Sequence, residues 1–470
     1  MTDSLLVPNK NRAARHLGPT DCGQGGVAAE ESGGLPKQRA VWRGDDAGGW
    51  RGAWPREAAG RRGRSAMSQE VEVDVAVVGA GPVGGTLALR LAEAGMAVAV
   101  LDRAALPPME HPDFDGRAYA IAAGSQRVMA AAGLWDALPL EPGPIREIRV
   151  SDGRPGQAAS PFFLHFDVAE LGGADPEGPE DAFGWMVEAR SLRMALNARL
   201  AVHPAVRVFA PATAIVERHA DGARLALGDG TVIAARLVAA AEGRGSPLRE
   251  AAGIGATRIA YRQHGVVCAI AHERPHDGVA LEHFLPAGPF AQLPLAPGPA
   301  GENLSALVWT ERPEVAKALM ACTAGRLETE IMRRMGDHLG RVRVVGRRWS
   351  YPLSLLHAHR YHDTRLVLVG DAAHGMHPIA GQGLNVGFQD VGALAGMLEG
   401  AADPGDPELL AAYQRRRRPA VMGMLAATDA LDRLFSNDNP KVRLVRDLGL
   451  AAVHRLPPLK RFFMRQAMGI

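Results

Sequence analysis

The stretch Val73-Asp74-Val75-Ala76-Val77-Val78-Gly79-Ala80-Gly81-Pro82-Val83-Gly84 decides the fold. It is a short β-rich run entering a glycine turn. Residues 86–94 then carry helical spacing, with Leu87, Leu91 and Ala94 on one face, and Gly95 stops the helix. Residues 97–101 read as a second buried strand that ends at Asp102-Arg103. The result is a βαβ unit of about 30 residues, the size of a dinucleotide half-site. Gly79 permits the tight turn, Gly81 lets backbone approach a pyrophosphate, and Gly84 allows close helix–strand packing. The phosphates would lie on the free N–H groups of the helix N-terminus. Asp102 stands about 20 residues on, where an acid accepts ribose hydroxyl bonds and disfavours a 2′-phosphate. A plain glycine turn in a sheet protein is the bland alternative. The motif alone does not separate FAD from NAD.

A second stretch lies far downstream: Gly370-Asp371-Ala372-Ala373-His374-Gly375-Met376-His377-Pro378-Ile379-Ala380-Gly381-Gln382-Gly383-Leu384-Asn385-Val386-Gly387-Phe388-Gln389-Asp390. A buried strand over 365–369 delivers Asp371 to the C-terminal edge of a sheet, where ligands bind in open α/β folds. Pro378 ends any preceding turn. Gly381 and Gly383 let backbone pack against something flat. The pattern is helical from Leu384 nearly to the C-terminus, so N–H groups near Gly383 and Asn385 form a positive helix start.

Between these motifs the chain is strand-rich. Candidates are 145–150, 162–168, 206–209, 212–217, 223–227, 232–239, 264–270, 281–285, 291–295 and 304–309, with a helix over 191–201. The fold class expected is α/β: a Rossmann-like dinucleotide-binding domain, interleaved with a β-sheet domain, plus a helical C-terminal part. Residues 67–145, 187–260 and 355–400 are assigned to the first, 146–186 and 261–354 to the second, and 401–470 to the third. Residues 1–66 are rich in Gly and Arg and lack periodicity. They read as a disordered basic arm or, preferably, as translated upstream sequence ahead of a true start at Met67.

The 470 residues are 47% hydrophobic and 22% charged with a net charge of +2, which gives no polyanion-binding character. No apolar run reaches the roughly 18 residues of a membrane span. Cys22, Cys268 and Cys322 are scattered and show no metal spacing. His374 and His377 lack a third ligand, so no metal site is expected. His283 reads as a satisfied sheet residue before it reads as a functional one. The run Arg415-Arg416-Arg417-Arg418 reads as a solvated helix face, and Asp390 as a residue that fixes helix and loop.

The downstream stretch resembles the flavin-contact signature of the aromatic-ring FAD monooxygenases related to p-hydroxybenzoate hydroxylase. Within them the chain is most similar to the ubiquinone-biosynthesis hydroxylases. Asp115-Gly116-Arg117-Ala118-Tyr119-Ala120-Ile121 and His283-Phe284-Leu285-Pro286-Ala287-Gly288-Pro289-Phe290-Ala291-Gln292-Leu293-Pro294 resemble two further segments of that family. So does Thr428-Asp429-Ala430-Leu431-Asp432-Arg433-Leu434-Phe435-Ser436-Asn437, and the likeness runs from about Asp74 to Ile470.

The resemblance implies that Gly79, Gly81 and Gly84 bind the FAD pyrophosphate and Asp102, with Arg103 beside it, the adenosine ribose. It implies that Arg117 contacts the phosphates, that Asp371 bonds the ribityl or pyrophosphate region, and that Arg190 contacts FAD. Pro378 and Gly383 would form the flavin-ring environment at the reaction centre, with no side-chain base assigned. Gly381, Gly383, Leu384 and Asn385 would contact the pyrimidine side of the ring. Two departures stand out. Glu242, followed by Gly243, replaces the family's aspartate in a fingerprint associated with FAD and NAD(P)H. Ala189 stands where the family often has asparagine.

No second dinucleotide fingerprint is present, so NADH or NADPH would visit the flavin transiently as co-substrate. The resemblance therefore implies a monooxygenase that uses NAD(P)H and O2, through a flavin C4a-hydroperoxide, to hydroxylate a polyprenylated phenol in ubiquinone biosynthesis. Compatible partners are a ubiquinone-biosynthesis protein complex and a second copy of the chain, and no nucleic acid. The expected location is cytoplasmic, peripheral at the inner face of the membrane, with the basic and apolar segment 453–468 as an interfacial or a packing helix. The alternatives are a flavin-bound scaffold with little turnover and an FAD hydroxylase of another aromatic substrate. A prenyl reductase fits the tail poorly, and a halogenase lacks its tryptophan motif.

Overall fold

The computed structural model describes residues 70–106, 114–156, 164–171, 182–376, 381–435 and 456–470. The expectations for 1–66 and for Pro378 lie outside these residues.

Glu70–Val78 is an inner strand of the first sheet. It pairs in parallel with Val98–Leu101 on one side and Val232–Ala240 on the other. Val206–Phe209 and Leu366–Leu368 extend the parallel sheet outward. Val75, Ala76 and Val77 are all buried, because helices or strands cover both faces there. A strand buried on both faces reads as a continuous apolar run and not as an alternation. An antiparallel meander, Ala214–Arg218 and Ala223–Leu227, attaches to Val232–Ala240. The first helix spans Pro82–Glu93, four residues earlier than its apolar spacing suggests. Proline is pre-organised for a first helical position and has no N–H to leave unpaired.

The second sheet has eight strands in the order His374–Gly375, Val342–Ala358, Ala256–His272, Asn303–Glu311, Gly288–Pro294, Val279–Leu285, Glu147–Asp152 and Leu164–Asp167. The strand expected at 264–270 is the inner part of a 17-residue strand, Ala256–His272, paired with the equally long Val342–Ala358. Arg258, Ile259 and Ala260 are exposed, so the outer half carries no apolar pattern to read. Helices Pro313–Ala321 and Ala324–Met335, not anticipated from the sequence, cover one face through Ala316, Leu319, Leu327 and Ile331.

A three-stranded sheet, Ala118–Ala122, Gly184–Glu188 and Gly143–Ile145, packs Ile145, Trp185 and Met186 against Ala269, Ala271 and Ala306 of the large sheet. Helices Gln382–Leu398, Pro407–Phe435 and Pro457–Met468 complete the described chain. The α/β class with a helical C-terminal part is as the sequence led us to expect.

Candidate functional site

The two distant motifs meet. Gly79 has φ +107°, and a Cβ there would lie 2.4 Å from the carbonyl oxygen of Ala241. A Cβ on Gly84 would lie 1.9 Å from the Gly79 carbonyl oxygen. The loop is therefore closed against the mid-chain fingerprint on one side. Gly81 is the opposite case: its Cβ position meets nothing within 4 Å. It is the N-cap of the first helix and, having no side chain, leaves the first-turn N–H groups without a side-chain cap. On the far side, Cβ atoms at Gly370 and Gly387 would come 3.1 and 2.7 Å from the Val83 side chain. The first motif thus touches both ends of the second.

Asp102 holds the loop in shape. Its carboxylate accepts N–H bonds from Ala80 at 2.8 Å and Ala104 at 2.9 Å. Arg103 is exposed. Glu242 accepts a bond from the Ser246 hydroxyl, and burial pushes its carboxyl up from the ordinary glutamate value. The Glu242 backbone nitrogen lies 3.0 Å from the Cβ position of Gly79, which puts the departure directly against the glycine loop.

Arg244 joins the site, and sequence reasoning passed over it. Its guanidinium donates to Asp371 at 3.1 Å, to the Ser354 carbonyl and hydroxyl at 2.9 and 2.8 Å, and to the Met376 carbonyl at 3.1 Å. One side chain so links the mid-chain fingerprint to the downstream loop and to the long strand Val342–Ala358. Arg249 is 1% exposed and donates to the carbonyls of Ala372 and Arg244, both at 3.0 Å. The arginine pair standing shortly after a glycine-rich fingerprint was the available signal.

Asp390 anchors the loop from behind. It accepts from the Gly370 N–H at 3.0 Å, faces His374 Nε2 at 2.5 Å, and accepts from Arg417 Nε at 2.6 Å. Burial alone would push this carboxyl up, but His374 and Arg417 hold it below the ordinary aspartate value. The reading of Asp390 as a fixing residue holds. The reading of 415–418 as a solvated face is corrected: Arg415 and Arg416 are exposed, whereas Arg417 is buried in this ion pair. Leu410, Tyr413, Val421 and Leu425 form a buried stripe that Arg417 shares at helical spacing.

The remaining expected residues fall around this core. Arg117 pairs with Asp115 at 2.5 Å and stacks 4.6 Å over the Trp349 ring. Arg190 donates to Glu188 at 2.6 Å. Asn385 binds through its side chain, accepting from Ala122 N–H and donating to the Ala120 carbonyl at 2.9 and 2.8 Å. It therefore fastens the helix Gln382–Leu398 to the three-stranded sheet. A Cβ at Gly381 would lie 3.2 Å from Ala120 Cβ, and one at Gly383 3.8 Å from Met376, while Leu384 is half-buried. His283 is buried and bonded to Ser151 at 2.8 Å, a satisfied sheet residue.

Residues 72–428 match the family described as FAD binding domain. The chain belongs to that family of FAD-dependent hydroxylases. It is 51% identical over 407 residues to a ubiquinone hydroxylase of Rhodospirillum rubrum, covering 86% of this chain and 91% of that protein. It is 35% identical to the 3-demethoxyubiquinol 3-hydroxylase of Escherichia coli, covering 84% of this chain and 98% of the other. The likeness to ubiquinone-biosynthesis hydroxylases is thereby borne out. Among solved structures, p-nitrophenol 4-monooxygenase of Pseudomonas putida superposes with a TM-score of 0.68 at 20% identity, covering 85% of this chain and 98% of that one, which shows the shared fold. An FAD fits the arrangement, since the open position at Gly81 stands between two closed glycine contacts at a helix start.

Proposed function

We propose that this FAD-dependent hydroxylase uses NAD(P)H and O2 to add one hydroxyl to the ring of a polyprenylated phenol in ubiquinone biosynthesis. The observation that carries the reading is the convergence of Gly79–Gly84, Glu242–Arg244 and Gly370–Gly387 on one another, in a chain whose relatives are named ubiquinone hydroxylases. Gly81 and the first-turn N–H groups would receive the pyrophosphate, with Asp102 and Arg103 at the ribose. Asp371, Gly381, Gly383, Leu384 and Asn385 would frame the ribityl chain and ring, with Pro378 beside them and Arg117 and Arg190 toward the phosphates. Glu242 and Gly243 complete this set. In this reading 67–145, 187–260 and 355–400 hold the cofactor, and 146–186 and 261–354 the substrate. Bound FAD would supply the electron transfer from NAD(P)H to O2. The chain's own part is to position, to hold water away, and to keep the loop rigid through Arg244 and Asp390.

No helix among the described residues is long and apolar enough to cross a membrane. The helix Pro457–Met468 buries Met464 and Met468, and Lys460 meets Glu170 at 2.6 Å. Its outer side exposes Leu459, Phe462 and Phe463 beside Arg461 and Arg465. This combination supports a peripheral seat on an anionic lipid surface.

The test is NADH and NADPH oxidation by the FAD-loaded enzyme with a short-chain prenylphenol, followed by product mass. A gain of one oxygen drawn from labelled O2 is expected. An enzyme that oxidises neither nucleotide and hydroxylates no phenol would end the reading. Deletion of the gene should also leave an under-hydroxylated quinone precursor.

A further inference from the structure

The large sheet has two unequal faces at its centre. On one, Val266, Cys268, Phe290, Leu307 and Trp309 are at most 1% exposed under the helices Pro313–Ala321 and Ala324–Met335. On the other, one cross-strand row runs through Val150, Glu282, Ala291, Val308, Val267 and Trp349. Ala291, and Leu164 opposite Val150 at the row's end, are fully buried; the others keep accessible surface although they lie on inner strands. The neighbouring row of Ala280, Ala306 and Ala269 is closed by the three-stranded sheet and the last helix. Phe284, one pleat further along the same strand, packs against Leu164 with Leu434 alongside. The open row is therefore a partly accessible strip of sheet between two packed flanks. At its end Trp349 donates its indole N–H to the Asp115 carbonyl at 2.8 Å and lies under Arg117.

Glu282 is the one ionisable side chain in this row; the buried Asp152 stands opposite Phe284 in the next. It has no hydrogen-bond or ion-pair partner among the described residues. A carboxylate without a partner in an apolar setting is costly, because desolvation is not repaid. Burial, with no cation to offset it, pushes the carboxyl up to about 7. An unpaired polar group at a ligand site is what a ligand's own polar group satisfies.

We propose that Glu282 receives the ring hydroxyl of the phenol, and that this contact sets specificity for a ring without a second acid. The inference rests on the hydroxylation reading above. The valine and alanine row suits a hydrocarbon-bearing ring, and above about pH 7 the ionised Glu282 accepts one O–H bond from it. A ring carrying its own carboxylate places a like charge beside Glu282 and is rejected.

The experiment compares Glu282→Gln and Glu282→Asp with the wild-type holoenzyme, using a short-chain prenylphenol and the same ring bearing a carboxylate. Binding is read from the flavin absorbance change without reductant. Flavin content and thermal melts establish that each protein is folded. Glu282→Gln should weaken phenol binding about tenfold, or 1.4 kcal/mol, and narrow the preference for phenol over acid. Glu282→Asp should keep the preference while binding more weakly. Wild-type affinity and preference in folded, flavin-loaded Glu282→Gln would overturn the proposal, and should that variant not fold, an unaltered phenol affinity in Glu282→Asp would do the same. A wild-type enzyme that binds neither ring sinks the hydroxylation reading itself, an outcome visible before any variant is made.

Discussion

Arg417 Nε donates to Asp390 Oδ1 at 2.6 Å between two helices, with Asp390 fully buried and Arg417 only 7% exposed. The other carboxylate oxygen holds the Gly370 N–H and His374, so a helix contact is transmitted directly to the downstream loop. Replacing Asp390 by Ala leaves the buried Arg417 without its counter-charge, bonded only to the Val386 carbonyl and the Gln389 side chain, at a cost of about 3–5 kcal/mol. Urea unfolding should show that loss, together with lower flavin retention in the folded fraction.

The same pair sets an acid limit. The folded-state value of Asp390 is held below the ordinary 3.8. Its contribution to stability is thus complete above that value and lost as pH falls through and below it. The stability gap between wild type and Asp390→Asn should stay constant from neutrality to about pH 4 and shrink beneath it. A gap that widens on acidification would contradict the assignment.

The glycine loop offers a contrast between neighbours. Gly84→Ala drives a methyl into the Gly79 carbonyl and should destabilise the fold by about 1–3 kcal/mol. Gly81→Ala meets no protein atom, so stability should fall by no more than about 1 kcal/mol, the cost of alanine at an N-cap. Its FAD affinity should nonetheless fall at least about tenfold. Thermal melts of the apo-proteins and flavin titration separate the two effects.

Arg244→Met removes the tie among Asp371, Ser354 and Met376. Because the guanidinium is partly exposed, the expected loss is moderate. Flavin affinity should fall about ten- to a hundredfold, or 1.4–2.8 kcal/mol, with the secondary structure unchanged by circular dichroism.

The outer side of the last helix has its own test. Phe462→Ser combined with Phe463→Ser should reduce sedimentation with vesicles containing anionic lipid several-fold, while turnover of a water-soluble phenol persists. Neutral vesicles should bind less than anionic ones because Arg461 and Arg465 lose their attraction. Equal binding by the double variant would remove the lipid seat.

What could be read in advance divides along a physical line. The βαβ start was legible because its glycines answer to local sterics: Gly79 needs its φ, and Gly84 has no room for a methyl. The downstream loop was legible as a resemblance, through a long and specific residue pattern. Arg244 and Arg417 were not, since each acts on partners more than 25 positions away. A charged residue looks solvated until its acceptor is known. Arg417 had a local clue, its place among Tyr413 and Val421, that composition of the run concealed. The long strands were half legible, because Ala256–His272 is apolar only where other layers cover it.

The parallel sheet also imposes an order in time. Glu70–Val78 finds Val98–Leu101 soon after it is made, but its other neighbour begins at Val232. At about 5–20 residues per second of synthesis, that edge stays unpaired for roughly 8–30 s. Leu366–Leu368, the next strand outward, comes later still. The nascent chain therefore carries an apolar, edge-exposed β-strand through most of its production, and its yield in a cell should respond to chaperone supply and growth temperature more than its final stability would suggest.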